Sequence, residues 1–197
     1  MVNNIPLLEK VARTGKKVLL SSGMSCWAEL DKAVETLQTN GCKDLVVLQC
    51  TSEYPCPPEQ AGLNVLNQIK NRYKNIVVGY SDHTLGVAVP LAAVIMGASV
   101  IEKHFTLSKK MYGSDAMNST EPDEFKRLVS EIRQVELAIS NAINKDKNIK
   151  NLTSMKIIFE KSIVSIGKLD KGSVLLPHML AYKKPGDGIP ARDYKNL

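Results

Sequence analysis

Two histidines stand at equivalent points of two short apolar runs: His83 in Gly79-Tyr-Ser-Asp-His-Thr84 and His104 in Ile101-Glu-Lys-His-Phe105. The chain has three histidines in all, and these two lie one strand–helix unit apart. Adjacent strands of a parallel sheet would carry both imidazoles into one cleft. Neutral imidazole is the commonest metal ligand, and the carboxylates of Asp82, Glu102 and Asp115 are close by in sequence. Structural zinc would want four ligands, often with cysteine. Cys26, Cys42, Cys50 and Cys56 form no C-x-x-C pair. Two imidazoles completed by water and substrate oxygens suit instead an open site for a divalent cation acting as a Lewis acid on a carbonyl.

The elements that must position this pair are legible as alternating strands and helices. Val18 to Ser21 reads as a strand, and Ser25 as the cap of a helix that ends near Thr39 at Asn40-Gly41. Leu45–Cys50 is a second strand, followed by a Pro-rich turn and a helix over Leu63–Tyr73. Ile76–Tyr80 and Ser99–Phe105 are strands on either side of an apolar helix from Gly86 to Met96. A long loop then leads to an amphipathic helix over Pro122–Ile139. Continuous apolar strands alternating with helices predict a parallel sheet covered by helices. A repeat of roughly 25–30 residues, with no Gly-x-Gly-x-x-Gly and no P-loop, favours a (β/α)8 barrel over a nucleotide-binding sheet. Four such units are visible, and the opening segment Ile5–Thr14 is helix-like. The fold expected is therefore the second half of a TIM barrel over 1–143, a Lys/Asn-rich linker over 144–160, and a small β-rich module over 161–197. That module should contain strands at Ser162–Ile166 and Val174–Leu176, with a turn at Asp170-Lys-Gly172.

Barrel chemistry gathers at the C-terminal ends of strands, and side chains two apart share a face. Those rules assign to the mouth Ser22, then Ser52 and Tyr54, then Ser81 with His83, then Glu102 with His104. Lys103 has the opposite parity and should face the helices. Glu102 could orient a metal ligand, contact substrate or sit in an ion pair. Asp115 could reach over the mouth or simply form the turn beside Gly113. His178 lies without polar company and reads as surface.

Bulk properties narrow the class. Of 197 residues, 44% are hydrophobic, enough for a core. The longest apolar run, Val87–Ala98, is broken by Pro90 and Gly97 and is too short to span a membrane. The first residues lack the pattern of a secretory leader, so a cytoplasmic setting with reduced thiols is expected. The net charge of +6 is spread over helical faces without interleaved aromatics, which argues against nucleic acid and leaves anionic small molecules open.

The segments Leu19-Leu-Ser-Ser-Gly-Met24, Gln49-Cys-Thr-Ser-Glu-Tyr-Pro55, Gly79-Tyr-Ser-Asp-His-Thr-Leu-Gly86, Val100-Ile-Glu-Lys-His-Phe-Thr-Leu107 and Glu121-Pro-Asp-Glu-Phe125 resemble the sialic acid synthases. That family includes the legionaminate and pseudaminate synthases. Lys161-Ser-Ile-Val, Asp170-Lys-Gly and Lys184-Pro-Gly-Asp-Gly-Ile resemble its antifreeze-like (SAF) C-terminal domain, here partial. The resemblance implies condensation of phosphoenolpyruvate with an N-acylated amino sugar, with N-acetylneuraminate as the expected product. It implies that His83 and His104 hold a divalent metal (Mn²⁺, with Mg²⁺ or Co²⁺ as alternatives) and that Glu102 and His104 act in catalysis. Ser22, Ser52, Tyr54, Ser81, Glu102 and Asp115 would contact substrate. It further implies a homodimer that exchanges its C-terminal domain in the complete protein. Lys184 stands where relatives often carry an arginine, and Asp115-Ala-Met-Asn-Ser replaces a more polar loop. A catalytically silent half-barrel serving only association or sugar binding is the competing expectation, and an unrelated metal-dependent aldolase is a third.

Overall fold

The structure is a computed structural model that describes residues 2–196. It divides into two compact units, residues 1–141 and 142–197. The first unit runs α1 (Ile5–Ala12), β1 (Val18–Ser21), α2 (Trp27–Thr39), β2 (Leu45–Cys50), α3 (Leu63–Arg72), β3 (Val77–Asp82), α4 (Ala88–Ile95), β4 (Val100–Lys103) and α5 (Pro122–Ser140). Its four strands form one parallel sheet in the order β1-β2-β3-β4, the sequential order of a half-barrel.

Local chemistry sets the helix ends. Asn4 caps α1, its side-chain oxygen accepting from the Leu7 N–H, and Pro6 fits the first turn. The cap of α2 is Cys26 rather than Ser25. The Glu29 carboxylate accepts from the Cys26 N–H at 3.0 Å, while the Ser25 hydroxyl turns back to the Ser22 carbonyl at 2.7 Å. Gly41, at φ +99°, closes α2 as expected, and the Cys42 N–H returns to the Leu37 carbonyl. Glu121 and Glu124 build a reciprocal capping box before Pro122, which begins α5.

The core lies between the sheet's outer face and the helices. Leu20, Val47, Val78 and Tyr80 project from the strands onto Leu30, Leu37, Leu66, Ile69 and Ala93, all buried. The opposite face is the inner wall of the half-barrel. Leu48 is buried there, but Leu19 remains 50% exposed. Gly79 sits on this inner wall, where an added Cβ would stand 2.3 Å from Leu48 Cδ2 and 2.7 Å from the Val100 carbonyl oxygen. Only a residue without a side chain lets β2, β3 and β4 lie this close.

The second unit contains α6 (Lys145–Asn148), α7 (Thr153–Phe159) and an antiparallel pair of β5 (Ser162–Ser165) with β6 (Leu180–Lys183). Residues 144–160, expected as a linker, are instead mainly helical. The Asn144 side chain accepts from the Asp146 and Lys147 N–H groups and starts the first turn. The strand expected over Val174–Leu176 does not form. Pro177 opens a 3₁₀ turn over Pro177–Met179, and the β5 partner is supplied three residues later. The Ser162 hydroxyl donates to the Pro185 carbonyl at 2.8 Å and accepts from the Gly188 N–H, pinning the Gly-rich turn. Lys184 lies over the Phe159 ring at 4.5 Å, within this unit.

Replacing Gly79 by alanine should lower the unfolding free energy by about 1–3 kcal/mol, the usual cost of forcing atoms into a filled interior. Urea denaturation of the two proteins side by side measures it, and equal midpoints would show that the strands can separate at no cost.

Candidate active site

Parallel register places Cys50 beside Ser81 and Ser81 beside Glu102, so three polar side chains form one row across the inner wall. The Ser81 hydroxyl donates to Glu102 Oε2 at 2.5 Å and fixes that carboxylate. One side-chain step further toward the strand ends stand Ser52, His83 and His104. The His83 and His104 ring centroids are 5.0 Å apart with planes at 77°. Tyr54 arches over both, with centroid distances of 4.2 Å to His83 and 5.7 Å to His104. Asp115 approaches from the following loop, its Oδ2 3.6 Å from His104 Nδ1. All of these but Asp115 line a cleft of about 470 Å³.

The protonation of His83 follows from its partner. Nδ1 lies 2.7 Å from the Thr51 carbonyl oxygen, which can only accept, so Nδ1 carries the hydrogen. In the neutral ring Nε2 then holds the lone pair. The Cys50 sulfur lies 3.9 Å from the same Nδ1. That contact raises the His83 imidazole above its ordinary range, against the effect of burial and with help from the Thr51 carbonyl. Burial pushes the Cys50 thiol up, but contacts with His83, Ser21, Ser81 and Ser52 outweigh it and hold the thiol at about 7. Burial raises the Tyr54 phenol.

The other side of the same strand ends is a buried polar clamp. Lys103, with its side chain 3% exposed, donates to Asp82 Oδ2 and to the Thr84 carbonyl, both at 2.6 Å. Asp82 Oδ1 accepts from both the N–H and the hydroxyl of Thr84. Lys103 therefore faces the helices, as its parity required, and Asp82 goes with it.

Ser52, Tyr54, Ser81, His83, Glu102 and His104 share the cleft, and Asp115 reaches its edge. Ser22 does not. It projects to the helix side, 3.4 Å from Gln49 Oε1, and lines a separate cavity with Trp27 and Gln68. Ser21 is the serine that lines the cleft. Both Leu19 and Leu20 are apolar, so the alternation within β1 gave no clue to which face was inward. Cys50 also lines the cleft; the signal available for it was its parity with Ser52 and Tyr54.

Among the described residues no three His, Cys, Asp or Glu side chains group closely enough to hold a metal by themselves. Two imidazoles on one ion, with metal–nitrogen bonds of about 2 Å, have centres on the order of 5 Å apart, the separation of His83 and His104. The residues present therefore fit a two-histidine site whose remaining positions belong to water or substrate.

The NeuB family profile matches residues 1–144. The chain is 40% identical, over 100% of its length and 58% of the relative's, to N,N'-diacetyllegionaminic acid synthase of Campylobacter jejuni. It is 37% identical, over 99% of its length and 54% of the relative's, to human N-acetylneuraminate-9-phosphate synthase. Its structure is similar to that of the sialic acid synthetase of Leptospira borgpetersenii, with a TM-score of 0.69 and 32% identity over 79% of this chain and 55% of the other. The chain thus spans little more than half the length of the relatives it matches.

The buried clamp is directly testable. Lys103→Met should cost about 3–5 kcal/mol, because it strands the Asp82 carboxylate without a cation, and adding Asp82→Asn should recover much of that loss. Denaturation of the single and double variants decides it; a single variant as stable as the parent would show the pair to be idle.

Proposed function

The chain belongs to the NeuB family, and from that premise we propose that it forms the metal-binding half of an enzyme that condenses phosphoenolpyruvate with an N-acylated amino sugar. The expected product is a nonulosonic acid, N-acetylneuraminate or a close relative, together with phosphate. The observation that carries this reading is the His83–His104 pair, 5.0 Å apart beside a carboxylate held by Ser81.

His83 would hold a divalent cation through Nε2, and His104 would supply the second imidazole. Mn²⁺ is the first choice, with Mg²⁺ or Co²⁺ as alternatives. When bound, such a cation polarises a carbonyl oxygen as a Lewis acid. In the condensation, the enolpyruvate methylene carbon bonds to the sugar's aldehyde carbon. The aldehyde oxygen gains a proton, water adds at the enolpyruvate C2, and phosphate leaves. Glu102 is placed to accept or return a proton at the sugar or the attacking water. Ser21, Ser52 and Ser81 offer hydroxyls along the cleft wall for phosphoenolpyruvate, Ser21 replacing Ser22 in this role. Tyr54, tilted over both imidazoles, and Asp115 at the rim would bind sugar hydroxyls. Holding both reactants in register on one wall supplies much of the acceleration.

The same reading makes residues 161–197 part of an antifreeze-like domain, exchanged between the subunits of a homodimer in the complete enzyme. The four free cysteines suit a reducing compartment such as the cytoplasm. Among the described residues no helix is long and apolar enough to cross a membrane.

In a protein carrying the complete barrel, phosphate release from phosphoenolpyruvate, N-acetylmannosamine and Mn²⁺ is expected, and a chelator should abolish it. His83→Ala and His104→Ala should each reduce it by about 100-fold or more, the scale on which a lost stabiliser of a developing oxyanion is felt. Unimpaired release in both variants, or no release with any N-acylated amino sugar, would exclude this function.

A further inference from the structure

We propose that the first unit contains a second ligand site, for a tetrahedral oxyanion such as inorganic phosphate or a phosphate monoester, on the face of the sheet opposite the two-histidine cleft. A cavity of about 310 Å³ opens there between the loop after β3 and the first turns of α5. Three cations line it, Lys103, Lys109 and Arg127, against one carboxylate, Glu124.

Two further features point to an anionic occupant. The N-terminus of α4 faces the cavity through Gly86, Val87 and Ala88, and Val87 provides no side-chain cap. Unpaired N–H groups at a helix start attract negative charge. Gly86, at φ +79°, gives the backbone its left-handed approach without a side chain. Independently, Asn118 is only 8% exposed and lines the cavity, yet its amide has no hydrogen-bond partner among the described residues. Among the described residues no buried side-chain polar atom lacks a partner, so this amide is open to solvent, in a residue that lines the cavity. An uncommitted amide in a residue otherwise this buried is a donor already positioned for a ligand oxygen.

Each of the three cations has a carboxylate neighbour, and Arg127 alone keeps donors in reserve. Lys109 is neutralised by Glu124 at 2.7 Å, and Lys103 is shared with Asp82 and Thr84. Arg127 uses only Nε on Glu131, which leaves its two terminal nitrogens to bind an anion through two parallel N–H groups. The wall is also tied to the cleft: the Thr120 N–H donates to the His104 carbonyl at 2.7 Å, and its hydroxyl does so at 3.0 Å. An anion held by Asn118 therefore braces the segment that fixes His104.

Isothermal titration with sodium phosphate at constant ionic strength tests this on the full chain without any turnover, so its outcome is independent of the proposed condensation. Saturable binding is expected, weakened at least tenfold by Arg127→Gln, whose exposed position spares the fold, and also weakened by Asn118→Leu. Arg133→Gln, on α5 but outside this cavity, should leave it unchanged. Glucose 6-phosphate in the same titration separates the sources: binding that depends on Arg127 marks a site open to monoesters, and its failure beside phosphate binding marks one for the free ion. Absence of saturable phosphate binding overturns the proposal. So does binding that Arg127→Gln leaves intact, because the ion then sits elsewhere, as in the cleft itself.

Discussion

The buried ion pair between Asp82 and Lys103 ties together the two strand ends on which the site depends. The two residues are register partners on β3 and β4, and each immediately precedes one of the two histidines. Because side chains alternate across a sheet, clamping Asp82 to Lys103 on the helix side aims His83 and His104 to the other side. A charge pair removed from water is a poor source of net stability. Its geometric consequence is another matter: the lysine reaches Asp82 and the Thr84 carbonyl only with the strands in this register. A slip by one residue would bury the imidazoles among the helices and turn the charges into the cleft.

That alternation also explains what could be read from the amino acids alone. On β3 and β4 the polar residues are unlike their neighbours in both size and charge, so the parity of Ser81, His83, Glu102 and His104 was unambiguous, and so was the outward turn of Lys103. On β1 the pattern is Val-Leu-Leu-Ser-Ser, apolar on both faces although Leu20 is covered and Leu19 stays half exposed, and adjacent serines could not be told apart. Ser22 was therefore placed in the cleft where Ser21 belongs. The helix starts tell a similar story. Pro122 announces itself by type, whereas the cap at Cys26 is made by Glu29 reaching back, an interaction that depends on helix geometry already present. In the second unit, Pro177 stops Leu176 from extending a strand, and pairing passes to residues 180–183. A pattern of apolar residues cannot rank two such competing segments, since the choice lies in which backbone groups find partners.

The two faces of the β3–β4 ends carry different chemistry from shared backbone. Inward lie two imidazoles and a hydrogen-bonded carboxylate, the set proposed to take a cation. Outward lie lysines, an arginine, an amide and a helix start, the set proposed to take an anion. Thr120 joins them, since its N–H and hydroxyl both terminate on the His104 carbonyl. The loop that carries Asp115 to the cleft rim carries Asn118 to the outer cavity three residues later, so order on one side imposes order on the other.

A thiol held near 7 beside an imidazole invites a different reading, that of a cysteine nucleophile with a histidine base. The hydrogen-bond pattern argues against it. A general base must present a lone pair to the proton it removes, and the nitrogen of His83 that faces Cys50 is Nδ1, already committed as a donor to the Thr51 carbonyl at 2.7 Å. The sulfur, 3.9 Å away, can only share that N–H. This favours the thiolate without providing a route for its proton through the ring. The lone pair of His83 resides on Nε2, with the ring of His104 5.0 Å away. In the proposed reaction the two rings would converge on one electrophile, and the Thr51 carbonyl holds His83 in the tautomer that can do so.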